Sequence, residues 1–159
     1  MFLAIRKTFR FQATGIRRMI ISFLFNALLV GISVLIHFEV LNLLTIYTPS
    51  SRISRRLSIL LGIFGSLCAH LLEVWIFGIG IFLLLKTETM GKLEGNTTQS
   101  FMDCVYFSLT TYTSLGFGDI TPTGWIRFLV GMETLTGLVL IAWTASFMFL
   151  EMQKHWRIK

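Results

Sequence analysis

Residues 113–119, with the sequence Thr-Ser-Leu-Gly-Phe-Gly-Asp, combine backbone freedom with a row of oxygen atoms. Two glycines alternate there with Leu115 and Phe117, and glycine adopts the φ values that turn successive carbonyl groups to the same side. When several chains surround one axis, such carbonyl oxygens replace the hydration shell of an alkali cation, and the Ser114 hydroxyl adds oxygens at the inner mouth. The segment therefore predicts a ladder of cation-binding oxygens.

Three ionisable residues, His70, Glu73 and Glu133, lie within long apolar runs, where charged groups are costly and usually face protein or water. His70 and Glu73 share a helix face, and Glu73 and Glu133 lie at similar depths along their helices. We hypothesise that the three form a hydrogen-bonded network with Thr110 or Ser108 behind the oxygen ladder. The alternative is that each is satisfied separately. A metal site is not expected, because HxxE lacks the zinc-protease spacing and nothing else in the pattern supplies ligands.

The elements that must position these residues are membrane-spanning helices. The chain of 159 residues is 54% apolar and only 14% charged, with a mean hydropathy of +0.74, whereas soluble domains carry about 25% charged residues. Residues 19–46, 57–85 and 126–150 each exceed the roughly 20 apolar residues that cross a bilayer. We expect a multi-pass protein of the cell membrane.

The net charge of +6 comes from basic residues that cluster at the ends of the apolar runs rather than on one soluble surface. They are Arg17, Arg18, Arg52, Arg55, Arg56, Lys154, Arg157 and Lys159. Lipid headgroups are the expected partners of such clusters, and nucleic acid is not. Residues 1–18 are basic and amphipathic and are expected to lie along the membrane surface. The first apolar run is too long for a signal-peptide core, which favours a retained helix.

Residues 101–113 form an apolar and hydroxyl-rich stretch that is too short to span the bilayer. The glycine-containing loop follows it directly, and irregular backbone at membrane depth persists only where it lines protein or a water-filled cavity. A re-entrant half-helix followed by a loop satisfies this condition. The C-terminal end of the half-helix then directs carbonyl groups and negative partial charge toward an entering cation.

The stretch TTYTSLGFGDITP resembles the selectivity-filter signature of potassium channels, TTVGYGD. The resemblance implies that the filter is formed by Thr113, Ser114, Leu115, Gly116, Phe117 and Gly118. It implies potassium binding at Ser114, Leu115, Gly116 and Phe117, and it places Asp119 at the outer mouth.

The helix order also resembles a family of small bacterial ion-channel proteins with one extra helix before the pore unit. Its matching stretches are residues 70–75 and 131–137, and Gly137 falls where potassium channels often carry a hinge glycine. The alternative at Gly137 is close helix packing, a common role of glycine in membranes.

Three positions depart from the potassium-channel pattern. Ser114 stands in place of threonine and keeps the hydroxyl oxygen. Phe117 stands in place of tyrosine and lacks the hydroxyl group that could brace the filter. Thr110 stands where some members carry a glutamate that supports the filter aspartate. The brace must therefore be built differently in this chain.

The resulting expectation is an all-α membrane protein with three transmembrane helices, a re-entrant pore helix and a filter, assembled as a homotetrameric channel. The predicted organisation is a basic segment (1–18), an additional helix with a basic loop (19–56), a pore domain (57–152) and a short tail (153–159). We expect potassium-selective conduction without a voltage sensor, ligand-binding domain or cofactor, and no enzymatic activity, because no catalytic constellation can be assembled.

Two functional alternatives remain open, a weakly selective sodium and potassium channel and a non-conducting membrane scaffold. Two sequence signals also disagree on the side of the membrane on which the N-terminus lies. The filter motif places the N-terminus outside, yet more basic residues would then lie outside than inside, against the positive-inside rule.

Overall fold

Long apolar helices form the membrane layer of the protein. The computed structural model describes residues 2–47, 54–87 and 89–156. Within them the element order is α1 (Phe2–Tyr47), α2 (Arg55–Lys86), β1 (Leu93–Gly95), α3 (Phe101–Tyr112), β2 (Ile120–Pro122) and α4 (Ile126–Trp156). Three helical stretches in this part of the chain have the length and hydropathy of spans, Gly15–Tyr47, Arg56–Lys86 and Ile126–Gln153. They agree with the three predicted spans.

The helix α1 is continuous over 46 residues and shows no break at the predicted boundary between residues 18 and 19. The side chains of residues 2–14 lie outside what the structure describes, so the predicted contact of residues 1–18 with the membrane surface stays a prediction. Most of the predicted basic loop, residues 48–53, and the last three residues of the tail also lie outside the described residues.

The helix α1 packs along α2 in the antiparallel direction. A Cβ atom built on Gly80 would lie 2.5 Å from Leu29 Cδ1, and one built on Gly65 would lie 2.7 Å from Leu44 Cδ2. At one end of the bundle, Phe23 stacks on Phe128 with ring centroids 6.4 Å apart. The N-terminal half of α1 therefore lies at the end of the bundle where α4 begins, as the predicted crossing of the first span requires.

The short helix α3 begins at a well-formed cap. The Ser100 side chain accepts a hydrogen bond from the Asp103 amide at 3.2 Å, and Asp103 Oδ2 accepts one from the Ser100 amide at 3.2 Å. The Asp103 carboxylate also accepts bonds from Thr97 and Thr98, and the Thr98 hydroxyl is the largest cause that lowers its pKa from 3.8 to about 2. This cap fixes where the half-crossing helix starts.

A two-stranded antiparallel pair joins the segment before α3 to the segment after the filter. Leu93 pairs with Pro122 and Gly95 with Ile120. The sequence predicted only a polar loop here, because three-residue strands leave no alternating pattern. Gly95 has φ of 107°, and a Cβ atom there would overlap the Asp119 carbonyl group, so glycine is required at this crossing.

The buried core lies where α2, α3 and α4 meet, around side chains such as Phe77, Ile81, Ile126 and Leu129, all 0% exposed. The outward faces of the long helices carry large apolar side chains instead, for example Leu28 at 57% and Leu35 at 64% exposed. Helices that carry large apolar side chains on their outward faces are typical of a protein surrounded by lipid.

Candidate ion filter and its support

The backbone of the predicted filter alternates between two conformations. Ser114, Gly116 and Gly118 have φ values of 59°, 50° and 79°, whereas no positive φ occurs at Leu115 or Phe117. A left-handed conformation at Ser114 costs an L-residue roughly 1–2 kcal/mol, so the surrounding structure must hold it. A Cβ atom at either glycine would meet nothing within 4 Å in the chain, which means that φ, not crowding, demands glycine there.

The filter is attached directly to the C-terminal turn of α3. The Gly116 amide donates to the Thr110 carbonyl at 3.0 Å, and the Ser114 amide donates to the Thr111 carbonyl at 2.9 Å. The side chains beyond this point are exposed in the single chain, Leu115 at 58% and Phe117 at 66%. One face of the filter is therefore anchored to the pore helix and the other is open.

Asp119, at the predicted outer mouth, is bonded to a tyrosine that the sequence analysis did not single out. The Tyr106 hydroxyl donates to Asp119 Oδ2 at 2.9 Å, and the Asn96 amide donates to the Asp119 carbonyl at 2.9 Å. The hydrogen bond to Asp119 raises the pKa of Tyr106. Thr110 takes no part, because its hydroxyl donates to the Phe107 carbonyl of its own helix. The side chain that bonds to Asp119 is thus Tyr106, one helical turn before Thr110, the position considered in the sequence analysis.

A buried polar cluster surrounds Glu73 and includes Tyr112, the residue before the predicted filter, and we call it the Glu73 cluster. His37 Nδ1 lies 2.9 Å from Glu73 Oε1, and His70 Nδ1 lies 3.2 Å from Glu73 Oε2. The Tyr112 hydroxyl donates to Glu73 Oε2 and lies 2.9 Å from His70 Nδ1. Thr144 Oγ1 lies 3.2 Å from His37 Nε2 and 3.0 Å from His70 Nε2. All four helices contribute to this cluster.

The second buried carboxyl group, Glu133, belongs to a separate site. The Ser108 hydroxyl lies between Glu133 Oε1 and the Val74 carbonyl oxygen, with 2.7 Å to the latter. Glu133 Oε2 has no hydrogen-bond partner among the described residues. The hypothesis of one network joining Glu73 and Glu133 is therefore corrected to two sites. The reason is that Glu73 turns toward His37 of α1, while Glu133 faces the middle of the pore helix.

The glycine at the predicted hinge position is a packing site. A Cβ atom on Gly137 would overlap the carbonyl group of Tyr112, the last residue of α3. The helix α4 runs without interruption through this position. Of the two readings of Gly137, hinge or packing, the described geometry favours packing.

The residues missed by the sequence analysis are mainly His37, Tyr106, Tyr112 and Thr144. His37 carried a signal, because it is an ionisable residue within an apolar span, as are His70 and Glu73. The two tyrosines carried none, since aromatic residues with polar ends are common near membrane interfaces.

Comparison with known proteins points in the same direction as this geometry. A family model described as "Ion channel" matches residues 69–154. A potassium channel protein, kcv of Paramecium bursaria Chlorella virus 1, is 32% identical over 56 residues, which cover 31% of this chain and 60% of the viral protein. No solved structure matches. The matches confirm the resemblance to potassium channels that the filter motif carries.

Proposed function

This chain belongs to the ion-channel family, and from that premise we propose that it is a potassium-selective channel that works as a homotetramer. Ions would pass down their electrochemical gradient through residues 113–118 of four chains. No bond is made or broken in this process, in keeping with a family of channels rather than of enzymes.

The alternation of φ along the filter carries the proposal. Left-handed residues at every second position, Ser114, Gly116 and Gly118, support a row of carbonyl groups that face one side. The preceding helix ends at Tyr112, so the negative partial charge at its C-terminal end lies next to the same region. Both features stabilise a dehydrated cation and neither suits an anion.

Four copies are needed because one chain supplies one strand of oxygen atoms. A dehydrated alkali ion requires oxygen ligands on all sides, and the filter of the single chain is exposed from Thr113 to Asp119. Open backbone at membrane depth costs several kcal/mol for each unpaired group unless other protein or water covers it. A closed ring of identical chains around the conduction axis meets both requirements.

The pore domain of the proposed channel comprises residues 57–152, to which α1 adds an outer helix. The Tyr106–Asp119 bond and the Glu73 cluster support the filter from two levels, which favours selectivity. The weakly selective alternative is favoured by Phe117, which lacks the hydroxyl group that would brace the middle of the filter.

The test is cation flux into liposomes that contain the purified protein. We expect faster potassium than sodium flux and a particle mass of four chains. Gly116→Ala should abolish flux because alanine resists φ of 50°. Gly31→Ala is the control, since a Cβ atom there also meets nothing within 4 Å but the residue is an ordinary helical one in α1.

Equal potassium and sodium flux would support the weakly selective alternative. A well-dispersed protein without flux would be a scaffold that retains the fold. A strictly monomeric particle would contradict the proposal altogether.

A further inference from the structure

The Glu73 cluster has the composition and geometry of a transition-metal site, and we propose that His37, His70 and Glu73 bind Zn²⁺. Two imidazoles and one carboxylate are a donor set that zinc uses in proteins. The cluster lies outside the filter, so this ion is distinct from the permeant potassium ions.

The ligand atoms are close to the spacing that zinc requires. One donor atom from each of the three residues lies within 4.8 Å of the others. Zinc bonds of about 2.0–2.1 Å in a tetrahedral site put neighbouring ligand atoms roughly 3.3 Å apart. His37 Nδ1 lies 2.9 Å from Glu73 Oε1 and His70 Nδ1 lies 3.2 Å from Glu73 Oε2, so each imidazole faces its own oxygen of the carboxylate. Small shifts of the three side chains would bring one set of ligand atoms to the zinc spacing.

Thr144 is placed to hold both histidines in the orientation that a metal needs. Histidine ligands usually donate their second ring nitrogen to a neighbouring oxygen, which fixes the ring. Thr144 Oγ1 lies within 3.2 Å of Nε2 of both His37 and His70, and a hydroxyl oxygen accepts two hydrogen bonds. One threonine therefore orients both imidazoles with their Nδ1 atoms directed at Glu73.

A bound cation is compatible with the hydrogen bonds of the cluster. With zinc on the two Nδ1 atoms, both Nε2 atoms carry hydrogen and donate to the Thr144 hydroxyl oxygen, which lies 3.2 Å from His37 Nε2 and 3.0 Å from His70 Nε2.

The site is assembled from helices that are far apart in sequence and is open on one side. Glu73 and His37 are fully buried, while the His70 side chain is 17% exposed. His70 borders a groove of about 220 Å³ in the single chain. From the sequence we did not expect a metal site, because HxxE lacks the zinc-protease spacing and no further ligand was evident. His37 of α1 supplies the third ligand of the proposed site.

Cobalt absorption of the purified full-length protein in detergent, freed of metal with a chelator, tests the site without measuring currents. Co²⁺ at a tetrahedral nitrogen and oxygen site absorbs strongly, and we expect one such ion per chain, displaced by one equivalent of Zn²⁺. His37→Ala should abolish the signal. Thr144→Val should weaken binding by about 10–100-fold, as loss of a group that orients a ligand does.

His155→Ala is the matched control, because it removes the third histidine of the chain, about 16 Å beyond Thr144 along α4. Size-exclusion profiles identify variants that do not fold. If the size-exclusion profile shows that His37→Ala does not fold, the proposal is tested by the wild-type spectrum and by the weaker cobalt binding expected for Thr144→Val.

Four results would overturn the proposal. In the first, the wild-type protein leaves Co²⁺ in its octahedral aqueous form. In the others, the tetrahedral signal persists in folded His37→Ala, keeps its full strength in Thr144→Val, or is lost in His155→Ala. None of them depends on whether the protein conducts potassium.

Discussion

Replacing Tyr112 with phenylalanine removes one hydroxyl group from the Glu73 cluster, which we propose supports the filter. Tyr112 is 1% exposed, and its hydroxyl group donates to Glu73 and lies 2.9 Å from His70 Nδ1. Phenylalanine keeps the ring that packs in the core, so no large cavity forms. The variant therefore isolates the polar contribution of this side chain.

The expected loss of stability follows from what remains around Glu73. Hydrogen bonds to charged groups contribute about 1.5–3 kcal/mol in soluble proteins, whereas those measured in a membrane protein average about 0.6 and reach about 1.7 kcal/mol. Glu73 keeps His37 and His70 as partners, so its carboxylate is not left alone. We therefore expect a loss of about 1 kcal/mol, which for a chain of this size lowers Tm by roughly 2–4 °C.

Thermal unfolding of the detergent-purified protein, followed by circular dichroism, measures this change. Tyr106→Phe is the control on the same helix, because its hydroxyl group bonds Asp119 at the exposed outer mouth. We expect this control to leave Tm nearly unchanged and to lower the ratio of potassium to sodium flux. An unchanged Tm for Tyr112→Phe, or equal shifts in both variants, would refute a supporting role for the Glu73 cluster.

Three further predictions concern the packing and capping of the pore helix. Gly137→Ala should lower Tm by several degrees because its Cβ overlaps a pore-helix carbonyl group, whereas Gly131→Ala, with open space, should not; equal effects would contradict the packing role. Asp103→Asn should lower Tm at neutral pH. Because the folded pKa of about 2 lies below the usual 3.8, the wild-type advantage should hold above about pH 4 and vanish toward pH 2, and an advantage independent of pH would count against this cap. Ser108→Ala should destabilise more than Ser146→Ala, whose hydroxyl is exposed, and the reverse order would show that the bond to Glu133 contributes nothing.

The elements imposed by the bilayer were the most predictable from sequence. A span needs a minimum apolar length, and the predicted runs 57–85 and 126–150 lie inside α2 and α4. The pore helix was predicted as 101–113 and ends one residue earlier, at Tyr112. The strand pair next to the filter was missed, because its register depends on partners that are distant in the chain.

The composition of the buried polar sites was only partly predictable. Spacing along one helix placed His70 and Glu73 on one face, and the structure brings them together. Spacing does not reveal how two helices are aligned with each other, so the contact of His37 with Glu73 was missed and a contact with Glu133 was expected instead. The depth of a residue in the membrane was not enough to predict its contacts, because residues at the same depth on different helices face different neighbours.

The buried face of α1 indicates that this helix is part of the pore unit and not a separate membrane anchor. That face carries Ser22, Asn26, Ser33 and His37, each no more than 1% exposed, on a helix whose other faces are largely apolar. Of these four side chains, His37 bonds to another helix within the described residues, through Glu73 of α2, whereas Asn26 donates to the Ser22 carbonyl of its own helix and the Ser22 and Ser33 hydroxyl groups have no partner there. His37 and Tyr112 bond to the same carboxylate, so Glu73 connects α1 to the residue that directly precedes the predicted filter.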